Sequence, residues 1–309
     1  MITLNEAEAV EAGLSAAKER DESKAFQALD SLSGIATDFL SESEDADAQR
    51  VILSIEDISE AATEEEMELV TINSVLALGK LAKTAAEEGY ESAHTKAFIA
   101  IGRLGRIAAA HSLEAGSKVA ATTLMEIWNL PRQRQSQEKT IAFSLLFKEI
   151  GVCGARRGTE EIVLNAVNCL GEIGNKIAAE SLELETISAL LLLEEIGESA
   201  AEKYFDEALS STALSIEEIG KISLKKKLHK AVLQSQRALE TLRVQAEERS
   251  MTNSSVVTEM SLDSFKDTGN ADFEEKVEKL QEIKNLQIKI HSTLLSRKSV
   301  SSPKPKESF

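Results

Sequence analysis

A five-residue phrase recurs along the chain at a fixed spacing. It reads LGEIG at 170–174, LEEIG at 193–197 and IEEIG at 216–220, so successive copies lie 23 residues apart. A constant spacing of this size is typical of stacked structural repeats, in which each unit packs on its neighbours. The last residue of the phrase is defined as position zero of a repeat unit, and other positions are counted from it.

The same spacing extends well beyond the three phrases. Steps of 23 residues from position zero define eleven units between residues 5 and 248, without an insertion. The residues four before zero and one before zero are apolar in all eleven units. Apolar residues at spacings of three and four lie on one face of a helix. We therefore predict one amphipathic helix of about 20 residues in each unit.

Composition favours helices throughout. Only 4% of the residues are aromatic and 3 are proline, fewer than most β-sheet proteins contain. Short polar turns after position zero join the units, so neighbouring helices run antiparallel, and two units make a helix pair of 46 residues. The predicted fold class is all-α, an α-solenoid of about eleven antiparallel helices in stacked pairs.

Glycine follows the same pattern. Nine of the 15 glycines lie at position zero or three residues before it. Glycine inside a helix costs about 1 kcal/mol relative to alanine, so its repeated use indicates a close approach between neighbouring helices. We predict that a larger side chain at Gly174 overpacks the stack.

The chain after residue 248 differs in composition, and three further segments are predicted. Residues 249–272 are polar and are predicted to be a linker. Residues 273–297 carry an aliphatic stripe, which predicts an amphipathic helix that either caps the open end of the stack or forms a coiled coil. Residues 298–309 are basic and rich in serine and proline, which predicts disorder.

The central unit departs from the pattern. The only tryptophan occupies position zero, where nine of the other ten units have a small residue, and a proline three residues later ends the helix early or kinks it. The surrounding region is locally basic and could bind a partner or an anion. Alternatively, the tryptophan fills a gap in the core and the arginines are scattered in solvent. The candidate partner-binding residues are Trp128, Arg132, Arg134, Arg156 and Arg157.

Charge and motifs narrow the possible functions. The net charge is −17, and residues 1–70 contain 19 acidic and 4 basic side chains, which disfavours binding to nucleic acid. Cys153 and Cys169 lie in no CxxC motif, the histidines are isolated, and no P-loop or GxSxG motif occurs. We therefore expect no catalytic residue, no metal and no cofactor. The absence of a signal-like start or a long apolar run predicts a cytoplasmic protein without membrane insertion.

The LGEIG phrase at 170–174, together with Ala166, resembles the second helix of HEAT repeats. The 46-residue pair is similar in length to HEAT and armadillo units, and the resemblance covers about residues 5–248. It implies a right-handed solenoid that serves as a non-catalytic scaffold or adaptor for another protein. The Asp-Pro of the common HEAT turn is missing, so the resemblance does not extend to a subfamily.

Three other functions remain open. One is binding of nucleic acid or a phosphoprotein by the central arginines. A second is an enzyme of HEAT-like fold such as a glycosylase, although this chain is acidic and poor in aromatic residues. A third is a soluble subunit of a membrane-associated complex, recruited by the C-terminal helix.

Overall fold

A computed structural model describes residues 5–130, 136–265 and 277–295. Within these ranges the chain forms thirteen helices and no strand. The helices, in chain order, are α1 Glu6–Glu19, α2 Glu22–Ser41, α3 Asp45–Glu64, α4 Glu68–Glu88, α5 Glu91–Ala110, α6 Glu114–Trp128, α7 Gln137–Arg157, α8 Glu160–Ala179, α9 Glu183–Glu202, α10 Asp206–Lys225, α11 His229–Glu248, α12 Thr252–Asp263 and α13 Val277–Leu295.

The first twelve helices form two layers. Each helix packs against the next helix in the chain and against the next but one, so odd-numbered and even-numbered helices make separate rows. This arrangement confirms the predicted all-α solenoid. None of the described helices is both long and apolar enough to cross a lipid bilayer.

The structure differs from the sequence prediction between residues 249 and 272, which include a helix where a linker was expected. α12 packs against α10 and α11 as a twelfth repeat helix. Leu262 and Phe265 occupy the positions four and one before zero, and Phe265 is buried. Small hydroxyl residues hide the pattern in the sequence. They are buried because their hydroxyls bond to carbonyls, as when Thr258 donates to the Ser254 carbonyl over 2.7 Å.

The repeat positions have distinct packing roles. The residue four before zero is fully buried in all eleven predicted units. The residue one before zero contacts position zero of the helix two earlier, as Ile58 does at Gly13. Ala12 and Ile35 are only half-buried because α1 and α2 have no helix two places before them.

Glycine at position zero makes room for a side chain rather than for a neighbouring backbone. A Cβ atom built on Gly174 would lie 2.3 Å from Cδ1 of Ile219, which belongs to the next helix of the same layer. A Cβ atom on Gly220 would lie 2.6 Å from Cζ of Phe265. The 23-residue grid of glycines therefore follows from the packing of each helix on the next but one.

The turns between helices share one backbone geometry. The residue seven after position zero has a positive φ in every described turn of the stack. The following N–H bonds back to the helix, as in the 2.9 Å bond from Leu113 N to the Ala108 carbonyl. This is the Schellman arrangement, which ends a helix and reverses the chain. The positive-φ residues are Arg20, Ser43, Glu66, Gly89, Ser112, Gly158, Ser181, Tyr204, Lys227 and Ser250.

An acidic residue at the start of one helix caps the helix two places later. Oε1 of Glu68 accepts from the Ala115 N–H over 2.9 Å, and Oδ1 of Asp206 accepts from the Ser254 N–H over 2.9 Å. Such bonds satisfy N–H groups that have no partner within their own helix. The same contact joins Asp45 to Ala93, Glu160 to Ala208 and Glu183 to Lys230.

The two ends of the stack depart from this capping scheme. α1 and α2 have no helix two places earlier, and their own N-cap side chains, Asn5 and Asp21, accept the backbone N–H bonds. α11 and α12 begin with His229 and Thr252 instead of an acid. The first two helices are thus capped by their own N-cap residues rather than by another helix.

Loss of one interhelix cap should destabilise the stack measurably. Burial raises the pKa of Asp206, but hydrogen bonds from Ser254 outweigh that effect and hold the pKa below its usual 3.8. We expect Asp206→Ala to lower the free energy of unfolding by about 1 kcal/mol at pH 7, as measured by urea denaturation. The difference should begin to shrink as the pH falls below about 3.8, where the unfolded chain takes up a proton, and should be lost as the pH falls through the lower pKa of the folded state.

Glu207→Ala provides the matched control. Glu207 lies in the same first turn of α10 and is exposed, so its replacement removes the same charge without a cap. We expect its effect to stay within about 0.5 kcal/mol. Equal effects of the two substitutions would mean that the Asp206 contact does not stabilise α12.

α13 lies apart from the repeat. It packs on α7 and α9 in the middle of the odd layer, and so does not occupy the end of the stack where the capping prediction placed it. Among the described helices, the end of the odd layer is instead a face of α11, which forms an open depression of about 550 Å³ lined by Leu233, Val244, Arg237 and Glu240. The predicted disordered tail, 298–309, lies outside the described residues.

Candidate protein-binding surface

A row of aliphatic residues runs along the outer face of the odd layer. The position six before zero lies on the opposite side of each helix from the core positions. In the even layer, residues at this position are exposed, as Leu76 and Met260 show with exposed fractions of 52% and 68%. On α3, α5, α7 and α9 the position is always aliphatic. These residues, here named the aliphatic row, are Leu53, Ile99, Leu145 and Leu191.

Burial along the aliphatic row changes from one end to the other. Leu53 and Ile99 are half-buried, whereas Leu145 and Leu191 are buried on the two helices that α13 covers. The apolar run 187–193 in α9 is explained by this arrangement, since that helix packs on the core with one face and faces α13 with the other. A helix that is apolar all round is a buried helix.

α13 holds this surface with aliphatic and polar contacts. Ile283 is buried, and Leu286 and Ile290 are half-buried against the core. The Gln287 side-chain amide donates to Oγ of Ser188 over 2.9 Å. Nε2 of His291 lies 3.1 Å from Oε1 of Glu149 on α7. The three aliphatic residues have the spacing of one helix face, so α13 binds as an amphipathic helix in a groove.

Charged pairs link neighbouring odd helices beside the aliphatic row. Nη1 of Arg103 on α5 lies 2.8 Å from Oε1 of Glu56 on α3, and the Glu56 side chain is buried. On α7, Lys148 contacts Glu149 at 2.8 Å and reaches Glu195 on α9 at 3.4 Å. These pairs fix the spacing between helices at the level of the row.

The environment of Glu149 keeps that carboxylate ionised. Burial raises the pKa of Glu149. The hydrogen bond and charge of Lys148, together with His291, lower it by more, so the net shift is downward from 4.5. The pKa of Lys148 is raised in turn: burial lowers it, and the two glutamates outweigh burial. Both side chains are therefore charged at pH values between the two pKa values, and the Glu149 carboxylate is a fixed hydrogen-bond acceptor for α13.

Trp128 lies at the end of the short helix α6, where its ring packs edge-on against Phe143 with centroids 5.8 Å apart. Phe143 stacks in turn on Phe98 at 4.5 Å. Trp128 is half-buried, so the indole lengthens an aromatic cluster that bridges the interrupted central unit. This position corresponds to the alternative in which the tryptophan fills a gap in the core, and its predicted binding role stays a prediction.

The structure describes two of the four candidate arginines. Arg156 and Arg157 are exposed in the last turn of α7, where cations favour the negative end of the helix dipole. Arg132 and Arg134 lie outside the described residues. Binding of an anion by the four arginines stays a prediction.

Both cysteines are free thiols in half-buried positions. Burial raises the pKa of Cys169 to about 12, with a smaller effect from Glu172. Burial and the nearby Glu149 also raise the pKa of Cys153. Thiols with raised pKa values are poor nucleophiles at neutral pH. Among the described residues, no group of three or more His, Cys, Asp or Glu side chains is placed to hold a metal ion.

Sequence reasoning missed the aliphatic row, although the chain contains a signal for it. The four residues recur every 46 residues, the length of a helix pair, and are therefore visible only when alternate units are compared. A search at the single-unit period mixes them with the equivalent even positions, where Asp30, Thr122 and Asn168 also occur.

Comparison with known proteins identifies an architecture and no family. No protein-family model and no curated protein matches the chain. A solved structure described as a "Circular tandem repeat protein with novel repeat topology and enhanced subunit contact surfaces" is similar, with a TM-score of 0.55 and 12% sequence identity. The match covers 91% of this chain and 72% of that protein. The chain thus has the fold of a helical tandem-repeat protein.

Proposed function

We propose that this protein is a non-catalytic scaffold that binds an α-helical segment of another protein along the aliphatic row. One observation carries the proposal: the row already holds an amphipathic helix, α13, over part of its length. Stacked repeats make long, continuous surfaces of this kind, because each unit adds one position to the row. Binding of an apolar helix face in such a groove is a common mode of peptide recognition.

The free part of the row supports binding of a partner in addition to α13. Leu53 and Ile99 continue the aliphatic surface onto α3 and α5. The adjacent Arg103–Glu56 ion pair holds α3 and α5 together beside them. A ligand helix could therefore place an apolar stripe on this free part of the row beside α13.

Other features of the chain fit a scaffold better than an enzyme. The two thiols have raised pKa values, and the buried Glu56 is engaged with Arg103 in an ion pair between helices. The 46-residue helix pair and the LGEIG phrase support assignment to the HEAT and armadillo class of solenoids. Free cysteines fit a reducing, cytoplasmic setting.

Site-specific photocrosslinking tests the proposal. A benzophenone amino acid would replace Ile99 in the full chain, and the protein would be irradiated in native lysate. We expect one discrete crosslinked protein, joined through a helical segment that mass spectrometry identifies. Ile99 suits the test because it is half-buried on the free part of the row.

The same label at Leu76 is the matched control. Leu76 occupies the equivalent position of an even helix and is exposed. The proposal predicts that the partner found at Ile99 is absent at Leu76. Identical products at both positions, or none at Ile99, would contradict binding along the aliphatic row.

A further inference from the structure

Building on the proposed function, we infer that the groove on α7 and α9 binds a partner's amphipathic helix, and that α13 is an internal competitor which the partner displaces. The partner helix has the pattern of α13. It carries aliphatic residues at positions i, i+3 and i+7, an amide at i+4 and a hydrogen-bonding side chain at i+8. In α13 these are Ile283, Leu286, Ile290, Gln287 and His291.

α13 is a ligand of the stack rather than a member of it. If the 23-residue spacing continued, the positions four and one before zero would fall at Asn285 and Ile288. Both residues are exposed, whereas in α12 Phe265 is buried and Leu262 is half-buried, and both positions are buried in most units before it. The helix instead turns a different face, centred on Ile283 and Gln287, to helices that precede it by many units.

The surface beneath α13 is built for a helix and not for solvent. Leu191 and Leu192 are buried on α9, and Leu145 and Leu146 are buried on α7. Removal of α13 would expose leucines of both helices as one apolar patch, and patches of that kind on a folded protein mark interaction sites. Ser188 and Glu149 place a hydrogen-bonding group on each side of the patch. Their bonds to Gln287 and His291 fix the register of the bound helix.

α13 buries a smaller fraction of its described side chains in the groove than a stack helix buries against its neighbours. Between residues 283 and 292, where its side chains are described, only Ile283 and Gln287 are buried. Over an equal length of α8, residues 165–174, six residues are buried. A 19-residue helix is marginally stable alone, so α13 depends for its order on its contacts with α7 and α9. A helix of the same pattern with further contacts along the free row can therefore replace it.

Competition by a tethered helix has a measurable consequence. A tethered ligand acts at a high effective concentration, of the order of millimolar for a short linker. A ligand supplied in solution then binds only to the molecules whose groove is open. Its apparent Kd is the intrinsic Kd divided by the fraction of molecules with an open groove. Release of α13 should accordingly strengthen binding of the free ligand.

The test uses the full chain and a labelled peptide of residues 277–295 as the probe. Ile283→Asp with Ile290→Asp releases α13 while leaving the groove residues unchanged. Fluorescence anisotropy would measure peptide binding to the wild type and to this variant. We expect the variant to bind the peptide at least about tenfold more tightly, since tenfold corresponds to a groove that α13 occupies nine-tenths of the time.

Groove variants locate the binding site. In the released background, Leu191→Asp should abolish peptide binding, whereas Leu76→Asp, at the equivalent position of the even layer, should not change it. If circular dichroism shows that Leu191→Asp is unfolded, Ser188→Lys obstructs the same face without removing an aliphatic residue. Peptide binding that survives a folded groove variant would place the site elsewhere and overturn the inference.

The remaining outcomes are equally decisive. Equal affinity for wild type and released variant, or no binding to either, would show that α13 does not compete for a groove. A wild type that sediments as a dimer, and becomes a monomer on release of α13, would assign the groove to a second copy and overturn the partner assignment. Failure here is distinguishable from failure of the proposed function, because the label at Ile99 reports on the row outside the groove.

Discussion

Gly174→Leu lowers the free energy of unfolding by about 3 kcal/mol, in the upper part of the range for an overpacked core. The Cβ atom alone would lie 2.3 Å from Cδ1 of Ile219 and 3.7 Å from Cβ of Ala189. Leucine adds three more heavy atoms in a space already filled by α10. Urea denaturation followed by circular dichroism measures the change.

Gly34→Ala is the matched control for this substitution. Gly34 is also inside a helix, but a Cβ atom there would meet nothing within 4 Å. We expect this change to stabilise the protein by about 0.5–1 kcal/mol, because alanine restricts the unfolded chain and fits the helix. An unchanged stability of Gly174→Leu would show that the repeated glycines do not serve packing between helices.

Arg103→Met should destabilise the protein by about 3–5 kcal/mol, as expected when one partner of a buried ion pair is removed. Glu56 is 2% exposed, so its carboxylate would lose the guanidinium and remain out of water. Chemical denaturation at neutral pH measures the loss. The exposed pair between Lys83 and Glu126 is the control, and Lys83→Met should cost no more than about 1 kcal/mol.

The double variant Glu56→Leu with Arg103→Met separates charge from packing. Replacing both partners by apolar residues removes the unpaired charge, so most of the lost stability should return. If the double variant were as unstable as Arg103→Met alone, the loss would come from the packing of the arginine side chain. The cycle thus tests whether the pair beside the aliphatic row is an electrostatic link between α3 and α5.

The stack was predictable because the residues that make its main contacts recur at the same positions in every unit. Leu170 and Ile173 lie three residues apart on one helix face, and the same two positions are apolar in all eleven predicted units. The turns were predictable for the same reason, although most of their positive-φ residues are not glycine. Their geometry is imposed by the hydrogen bonds of the Schellman arrangement rather than by residue type.

Contacts between separate helices were less accessible to prediction. Asp206 lies in the first turn of α10, yet its carboxylate caps α12, two helices later, which the sequence of α10 alone does not reveal. The aliphatic row has a period of two units and was missed. α12 was taken for a linker because its buried serines and threonines are polar by composition and satisfied by bonds that only the fold reveals.

The contacts of α13 span far more of the chain than those within the stack. Repeat helices touch the next and the next but one, and their interhelix caps join residues 47 or 48 apart. Gln287 and Ser188 are 99 residues apart, and His291 and Glu149 are 142 apart. Short-range contacts form early and long-range contacts late. During synthesis from the N-terminus, the groove on α7 and α9 is therefore complete before α13 leaves the ribosome. A partner that meets the nascent chain in that interval encounters an open groove, so the order of synthesis itself gives it priority over α13.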